Sequence, residues 1–287
     1  SRHADRPPMS DRIRLVAHEP SPFAASSTQI TLLGPCRLVA PDGREVALAS
    51  KRAWALLAYL LLAPDQPHPR EAIASLLWER SPIGQGLASL RQELSKLRRI
   101  LLSAGWSPLE TTPTTIMGSP QSARVDLIGL LKPPAAADAR LEVVQAYSGD
   151  LLESLRLPSR GFEAWIAEQR YVLREAALSL GLGLCEEDDP AIAEAAARAV
   201  LRIDPASEHA FAELARLLVD RGERIEALRQ YDRLRAALRT ELDTVPSAAV
   251  TRLAAAIRTA DRLPRREAAG EYGLNWDRLR AGLSRGL

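Results

Sequence analysis

Five leucines constrain this chain more than any other feature. In "GLASLRQELSKLRRILLSAG", residues 86–105, Leu87, Leu90, Leu94, Leu97 and Leu101 recur at spacings of 3, 4, 3 and 4. On a helix with 3.6 residues per turn they share one face, which must be covered by a core. Ala88, Ser89, Gln92, Lys96 and Arg99 fall opposite, and Arg91 and Arg98 share one edge. The outward face carries Ser, Gln, Lys and Arg and no acid; Glu93 lies to the side. Gly84 and Gly86 are expected to weaken the helix before Leu87, at about 1 kcal/mol each relative to Ala.

Such a face admits three uses: a partner helix, a membrane-surface helix, or a helix that reads nucleic acid. The stripe is too short for a coiled coil. A membrane-surface helix would want aromatics and a wider apolar face. Gln and Arg match base edges in the major groove, and Lys and Arg neutralise phosphates. Taken alone, this helix reads first as a basic solvated face, which many helices carry, so its surroundings decide.

Upstream, Pro41-Asp42-Gly43 is a turn signal between two β-prone runs, Cys36–Ala40 and Glu45–Leu48. Ser50 can cap a helix over about 51–63, apolar almost all round and ended by Pro64. This run is far shorter than the roughly 20 apolar residues that span a membrane, so it is a core helix. Pro69 suits the first turn of a second helix and Ser81-Pro82 its end; Ile73, Leu76 and Leu77 form the buried stripe, with Trp78 beside it. Downstream, Leu109–Thr112 and Thr115–Gly118 flank a turn near Pro113, which reads as a hairpin. A sheet, three helices and a hairpin make a winged helix-turn-helix, whose third helix enters the major groove.

The front is also the basic part. Residues 1–126 hold 15 Lys+Arg against 11 Asp+Glu, and residues 127–287 hold 23 against 25. The asymmetry permits a nucleic-acid surface at the front. The excess of arginine over lysine, with many Ala and Leu, suggests a GC-rich bacterial genome.

From 127 onward the chain reads as helices. Ala177, Leu180, Gly181 and Leu184 align with Phe211, Leu214, Ala215 and Leu218 at an offset of 34 residues, and Ala193, Ala197 and Val200 with Ala227, Tyr231 and Leu234. That period, with small residues where helices cross, is the tetratricopeptide (TPR) signature. Gly222 separates the two helices of a repeat, and Asp204-Pro205 lies between repeats. Asp189 before Pro190 starts a capped helix, which gives the acidic run "CEEDDP" a structural explanation.

The fold class expected is mainly α: a winged helix-turn-helix (α+β) at 28–126, then an all-α, TPR-like domain at 127–260. Residues 1–27 are expected to be a tail or expression scar, and 261–287 a tail or linker. Cys36 and Cys185 lie far apart, and His3, His18, His68 and His209 lack ligand spacing. No disulfide, metal or cofactor is expected, and the reducing cytoplasm is the expected compartment. No signal peptide, phosphate-binding loop or nucleophile motif is read, so no enzyme is expected.

In "KRAWALLAYLLLAPDQPHPREAIASLLWERSPIGQGLASLRQELSKLRRIL", Lys51-Arg52, the apolar helix, Leu77-Trp78 and Leu-Arg-x-x-Leu-x-x-Leu-Arg-Arg at 90–99 stand in a specific order. This resembles the OmpR-type winged helix of the bacterial SARP regulators (the antibiotic regulatory proteins of streptomycetes and their relatives). Tyr147, Gly149, Asp150, Leu151, Phe162, Trp165 and Arg170, then Gly222, Ala227, Tyr231, Leu234 and Pro246, resemble the bacterial transcriptional activation domain that follows it in that family. The resemblance implies that 83–102 is the recognition helix and "ERSPIGQG" the loop that touches RNA polymerase. It departs at the wing, where the family's Gly-Tyr pair is replaced by Thr-Thr-Ile-Met and only Arg124 brings a positive charge near.

The function expected is sequence-specific, double-stranded DNA binding by a transcription activator that recruits RNA polymerase. A homodimer on tandem repeats is suggested by the family. Ser89, Gln92, Lys96 and Arg99 would face bases or nearby phosphates; Lys51, Arg52, Arg91, Arg98 and Arg124 would meet phosphates. The rival is a TPR-based adaptor in which the winged helix binds protein. No membrane partner is expected.

Overall fold

The structure is a computed structural model that describes residues 27–259. The readings of 1–26 and of 260–287 as tails lie outside the described residues.

Strand β1 (Thr28–Thr31) pairs antiparallel with β2 (Arg37–Val39) through a turn at Gly34, whose φ of +85° suits glycine. The turn at Asp42-Gly43 forms as expected, but the run after it reduces to one bridge, Val39↔Glu45. Its alternation survives, with Val46 and Leu48 buried between exposed Glu45 and Ala47; β2 is too short to pair with more of it.

Helix α1 (Lys51–Leu62) starts at Ser50, whose hydroxyl accepts the Ala53 N–H at 3.2 Å, and is buried from Ala53 to its end. Next come β3 (His68–Pro69) and α2 (Arg70–Leu77). Helix α2 ends four residues before the expected Ser81-Pro82, because Arg52 donates to the Leu77 carbonyl and covers Trp78, and Glu79 turns away to the second half of the chain. Helix α3 (Ile83–Ser103) is followed by the hairpin of β4 (Leu109–Thr111) and β5 (Thr115–Gly118) and by β6 (Ala123–Val125). The strands form two sheets, β2-β1-β6, with β6 parallel to β1, and β3-β5-β4.

The rest is helical: α4 (Ile128–Leu131), α5 (Ala137–Ala146), α6 (Arg160–Leu184), α7 (Pro190–Ile203), α8 (Glu208–Asp220), α9 (Arg224–Leu242) and α10 (Ala248–Thr259). Ser159, Asp189 and Ser207 cap α6, α7 and α8 through their side chains. Gly222, at φ +80°, turns α8 into α9. Ala193, Ala215 and Ala227 are buried at the helix contacts, and Gly181 is buried at a tight one. A Cβ there would lie 2.5 Å from Val200 Cγ2 and 3.2 Å from Val144 Cγ1.

The two halves share one hydrophobic core. Helix α6 starts well ahead of what a repeat needs, and its first turns cover the winged helix. Trp165 sits between Phe162 and Tyr59, with ring centroids at 5.6 and 5.4 Å. Ser159 Oγ donates to the Leu76 carbonyl at 2.8 Å, and Glu79 Oε2 accepts the Arg160 N–H at 2.7 Å. The Asp126 carboxylate, at the boundary, accepts the N–H groups of Leu32 and Leu33 at 2.9 Å. Burial outweighs those bonds and pushes its pKa up to about 6. Burial and Asp126 also push the Cys36 thiol up to about 11, away from reactivity at neutral pH.

Two outcomes test this packing. Gly181→Ala should lower stability, since overpacking costs about 1–3 kcal/mol and exceeds the helical gain of about 1. Gly183→Ala, with nothing within 4 Å, should instead raise it; thermal unfolding separates the two. Asp126 has a folded pKa above its usual 3.8, so the folded state binds the extra proton and this group adds stability as pH falls through 6. Between pH 7 and 5 the wild type should gain about 1 kcal/mol over Asp126→Asn in denaturant titrations; a loss would contradict the burial argument.

Candidate nucleic-acid interface

Helix α3 buries Leu90, Leu94, Leu97 and Leu101 and half-buries Leu87. It runs unbroken through both glycines. Gly86 is buried, 3.6 Å from the Cβ atoms of Ala74 and Trp78 if it carried a Cβ of its own. That packing against α2 offsets the low helical propensity expected to weaken this turn. The segment "ERSPIGQG" is therefore a loop only as far as Pro82, and α3 starts at Ile83.

Gln92, Lys96 and Arg99 are exposed together, as the wheel places them; Ser89 is half-buried at the margin of that face. Glu93 is half-buried, with Oε1 out of contact with solvent and without a hydrogen-bond partner. Arg91 and Arg98 are exposed on the flank beside the hairpin. Arg98 Nη2 donates to Thr111 Oγ1 at 2.7 Å and to the Leu109 carbonyl at 3.4 Å, so this arginine ties the wing to α3.

Two assignments change in the structure. Arg124 lies on β6, in the other sheet from the wing, and pairs with Glu142 at 3.1 Å. Arg52 donates Nε to the Leu77 carbonyl at 3.1 Å with its guanidinium 5.4 Å from the Trp78 ring centre, a structural engagement. Lys51, by contrast, is exposed.

Arg70 joins the site only through the fold. Strand β3 pairs with β5 (His68↔Ile116, Pro69↔Thr115), which brings the first residue of α2 against the hairpin. Arg70 Nε donates to the Thr112 carbonyl at 3.0 Å. Burial, then the charges of Arg91 and Arg98, depress its pKa. A cleft of about 420 Å³ opens between α3 and the wing, lined by Arg70, Arg91, Arg98, Arg99, Ser95 and Thr111 among others, with no carboxylate. Its only apolar walls are Leu94 and Leu102. A β3 strand of two residues has no periodicity, so only its long-range pairing could have revealed Arg70.

Among the described residues, no group of three or more His, Cys, Asp or Glu could hold a metal ion, and no helix is long and apolar enough to cross a membrane.

Residues 131–258 match the family model of the bacterial transcriptional activator domain. Over 81 residues the chain is 32% identical to the transcriptional regulatory protein MoaR1 of Mycobacterium bovis and of Mycobacterium tuberculosis. That match covers 28% of this chain and 26% of each relative, so the chain spans about a quarter of their length. Among solved structures, Mycobacterium tuberculosis EmbR in complex with a low-affinity phosphopeptide is similar over 91% of this chain and 69% of its own, with a TM-score of 0.53 and 20% identity. At that identity the likeness is one of fold: a winged N-terminal region followed by a helical domain.

Arg98→Ala should loosen the wing selectively. Losing a hydrogen bond to a charged donor at this exposed site is expected to cost about 1 kcal/mol, or roughly fivefold faster local opening. Hydrogen exchange of residues 109–118 measures it, with Arg99→Ala, which holds no wing atom, as the reference.

Proposed function

We propose that this chain, a SARP-type protein in its order of winged helix and bacterial transcriptional activator domain, is a sequence-specific regulator of transcription that binds double-stranded DNA. The observation that carries this reading is the outward face of α3: Gln92, Lys96 and Arg99 exposed, free of carboxylates, and flanked by a cationic cleft at the wing.

In the reading position, α3 lies in the major groove. Gln92 offers a donor and an acceptor to a base edge, Arg99 offers donors alone to a base edge or a nearby phosphate, and Lys96 neutralises a phosphate on the groove wall. Ser89, at the margin, suits a base edge or a phosphate. Arg91 and Arg98 face the backbone on the wing side, and Lys51 suits a phosphate at the start of α1. Arg52 and Arg124 have protein partners and are left out of the interface.

The protein acts in the cytoplasm as an activator that recruits RNA polymerase, without a cofactor and without catalysis. Two copies on tandem repeats fit the family's habit. The α2–α3 loop and the start of α6 are joined through Glu79 and Ser159, so polymerase would meet the two domains as one surface. An adaptor would place no restriction on acids along α3, and this face has none.

Fluorescence anisotropy against fragments selected from genomic DNA tests the proposal. Each phosphate contact adds about −0.9 to the slope of log K against log salt. Lys96→Ala and Arg99→Ala should each weaken binding and flatten that slope. Gln92→Ala should mainly relax discrimination at one base pair, by about 1–3 kcal/mol. Unchanged binding in all three variants removes α3 as the recognition helix.

A further inference from the structure

We propose that Arg70, Arg91, Arg98 and Arg99 form a preformed phosphate seat between α3 and the wing, occupied by one backbone phosphate of the bound duplex. The occupant rests on the DNA-binding reading above; the seat itself rests on geometry.

Four guanidinium groups line one cleft without a carboxylate among its walls, while Glu71 lines the adjoining cleft that shares Arg70 and Arg91. None of the four has an ion pair among the described residues, so no carboxylate of the fold neutralises the cluster. Like charges held together cost free energy unless an anion joins them.

Two of the four are also fixed in direction. Arg70 uses Nε on the Thr112 carbonyl, and Arg98 uses Nη2 on Thr111 Oγ1 and the Leu109 carbonyl. Both bonds leave other N–H groups of the fork unused. A guanidinium so anchored loses little freedom when it takes a second acceptor, and its planar fork matches two phosphate oxygens. Lysine would bring its three donors from a single atom, without the planar fork.

The seat also explains how this wing meets DNA. Between Leu109 and Gly118 the only charged side chain is Glu110, so the hairpin brings no cation of its own. Arg70 and Arg98 lend it theirs, from α2 and α3. The wing then lies along the backbone, with Thr111 on the cleft wall and the cleft's roughly 420 Å³ open to a phosphate and its flanking sugars.

The test uses the whole chain and a mixed-sequence duplex, because a phosphate seat is indifferent to sequence. Arg70→Ala and Arg70→Gln should each weaken binding several-fold and reduce the salt slope by about 0.9, one phosphate contact. The Gln variant keeps an amide donor for the Thr112 carbonyl, so the wing stays in place while the charge is gone. Arg229→Ala, on α9, is the control and should leave the slope unchanged. Without DNA, inorganic pyrophosphate should raise the melting temperature of the wild type and not of Arg70→Gln. If Arg70→Gln binds the duplex with an unaltered slope, the seat is overturned and the α3 reading stands. If the wild type binds no duplex while pyrophosphate stabilises it through Arg70, the backbone phosphate is overturned as occupant, together with the DNA-binding reading.

Discussion

Everything in this molecule hangs from three consecutive residues, Leu32, Leu33 and Gly34. Asp126 accepts the first two N–H groups, the Leu32 carbonyl takes the Leu152 N–H at 2.8 Å, and the Leu33 carbonyl takes Ser148 Oγ at 2.6 Å. Gly34 donates to the Asp150 carbonyl at 2.9 Å, and an added Cβ there would lie 2.8 Å from Ser148 Oγ. Both halves of the chain thus close on the same backbone, with the three N–H groups and both leucine carbonyls paired, as buried peptide groups require. Residues Ser148–Leu152, at the start of the helical half, serve as the floor of the first sheet. Together with the Glu79 and Ser159 bonds at α2, this holds the winged helix in one orientation and leaves the outward face of α3 open to solvent.

A rigid mount matters because the surface it carries is unfavourable by itself. The cleft beside the wing concentrates positive charge, and burial together with Arg91 and Arg98 already disfavours the charge on Arg70. A protein tolerates such a spot when the rest of the structure over-determines it and a ligand relieves it. Here the compensation is local: the same arginines that repel one another tether the hairpin, and the hairpin's carbonyls absorb part of their charge.

The sequence was legible wherever structure follows from local rules. The leucine stripe, the Ser50 and Asp189 caps, the Pro113 hairpin and the 34-residue offset all recur in the structure, and the helix starts at Pro190 and Arg224 are spaced by that offset. What failed depended on distant partners. The end of α2 is set by Arg52 and by the start of α6. Arg124 was placed by its nearness in sequence to the hairpin, yet β6 crosses to the first sheet. Arg70 became visible only through a two-residue strand pairing with β5. Gly86 read as a weak point because propensity ignores the neighbour it admits.

Arginine shows why charge in a sequence is a poor guide to a site. Arg170 donates to the Leu151 and Leu152 carbonyls, Arg174 to Ile203, and Arg202 to the carbonyls of Gln145 and Tyr147. These side chains close helix ends and turns in the way Arg52 closes α2. A guanidinium can do so because its donors are many, planar and weakly hydrated, whereas an ammonium is compact and strongly hydrated. The arginine-rich composition therefore divides into staples, whose forks are filled by the fold, and open groups such as Arg91 and Arg99, whose forks face water. Arg70 and Arg98 belong to both sets at once, anchored at one end and free at the other. Under the proposed phosphate seat, residues of that double kind would pass the position of a bound phosphate to the wing, so the α3–wing cleft, rather than the overall charge of the chain, is where the proposal stands or falls.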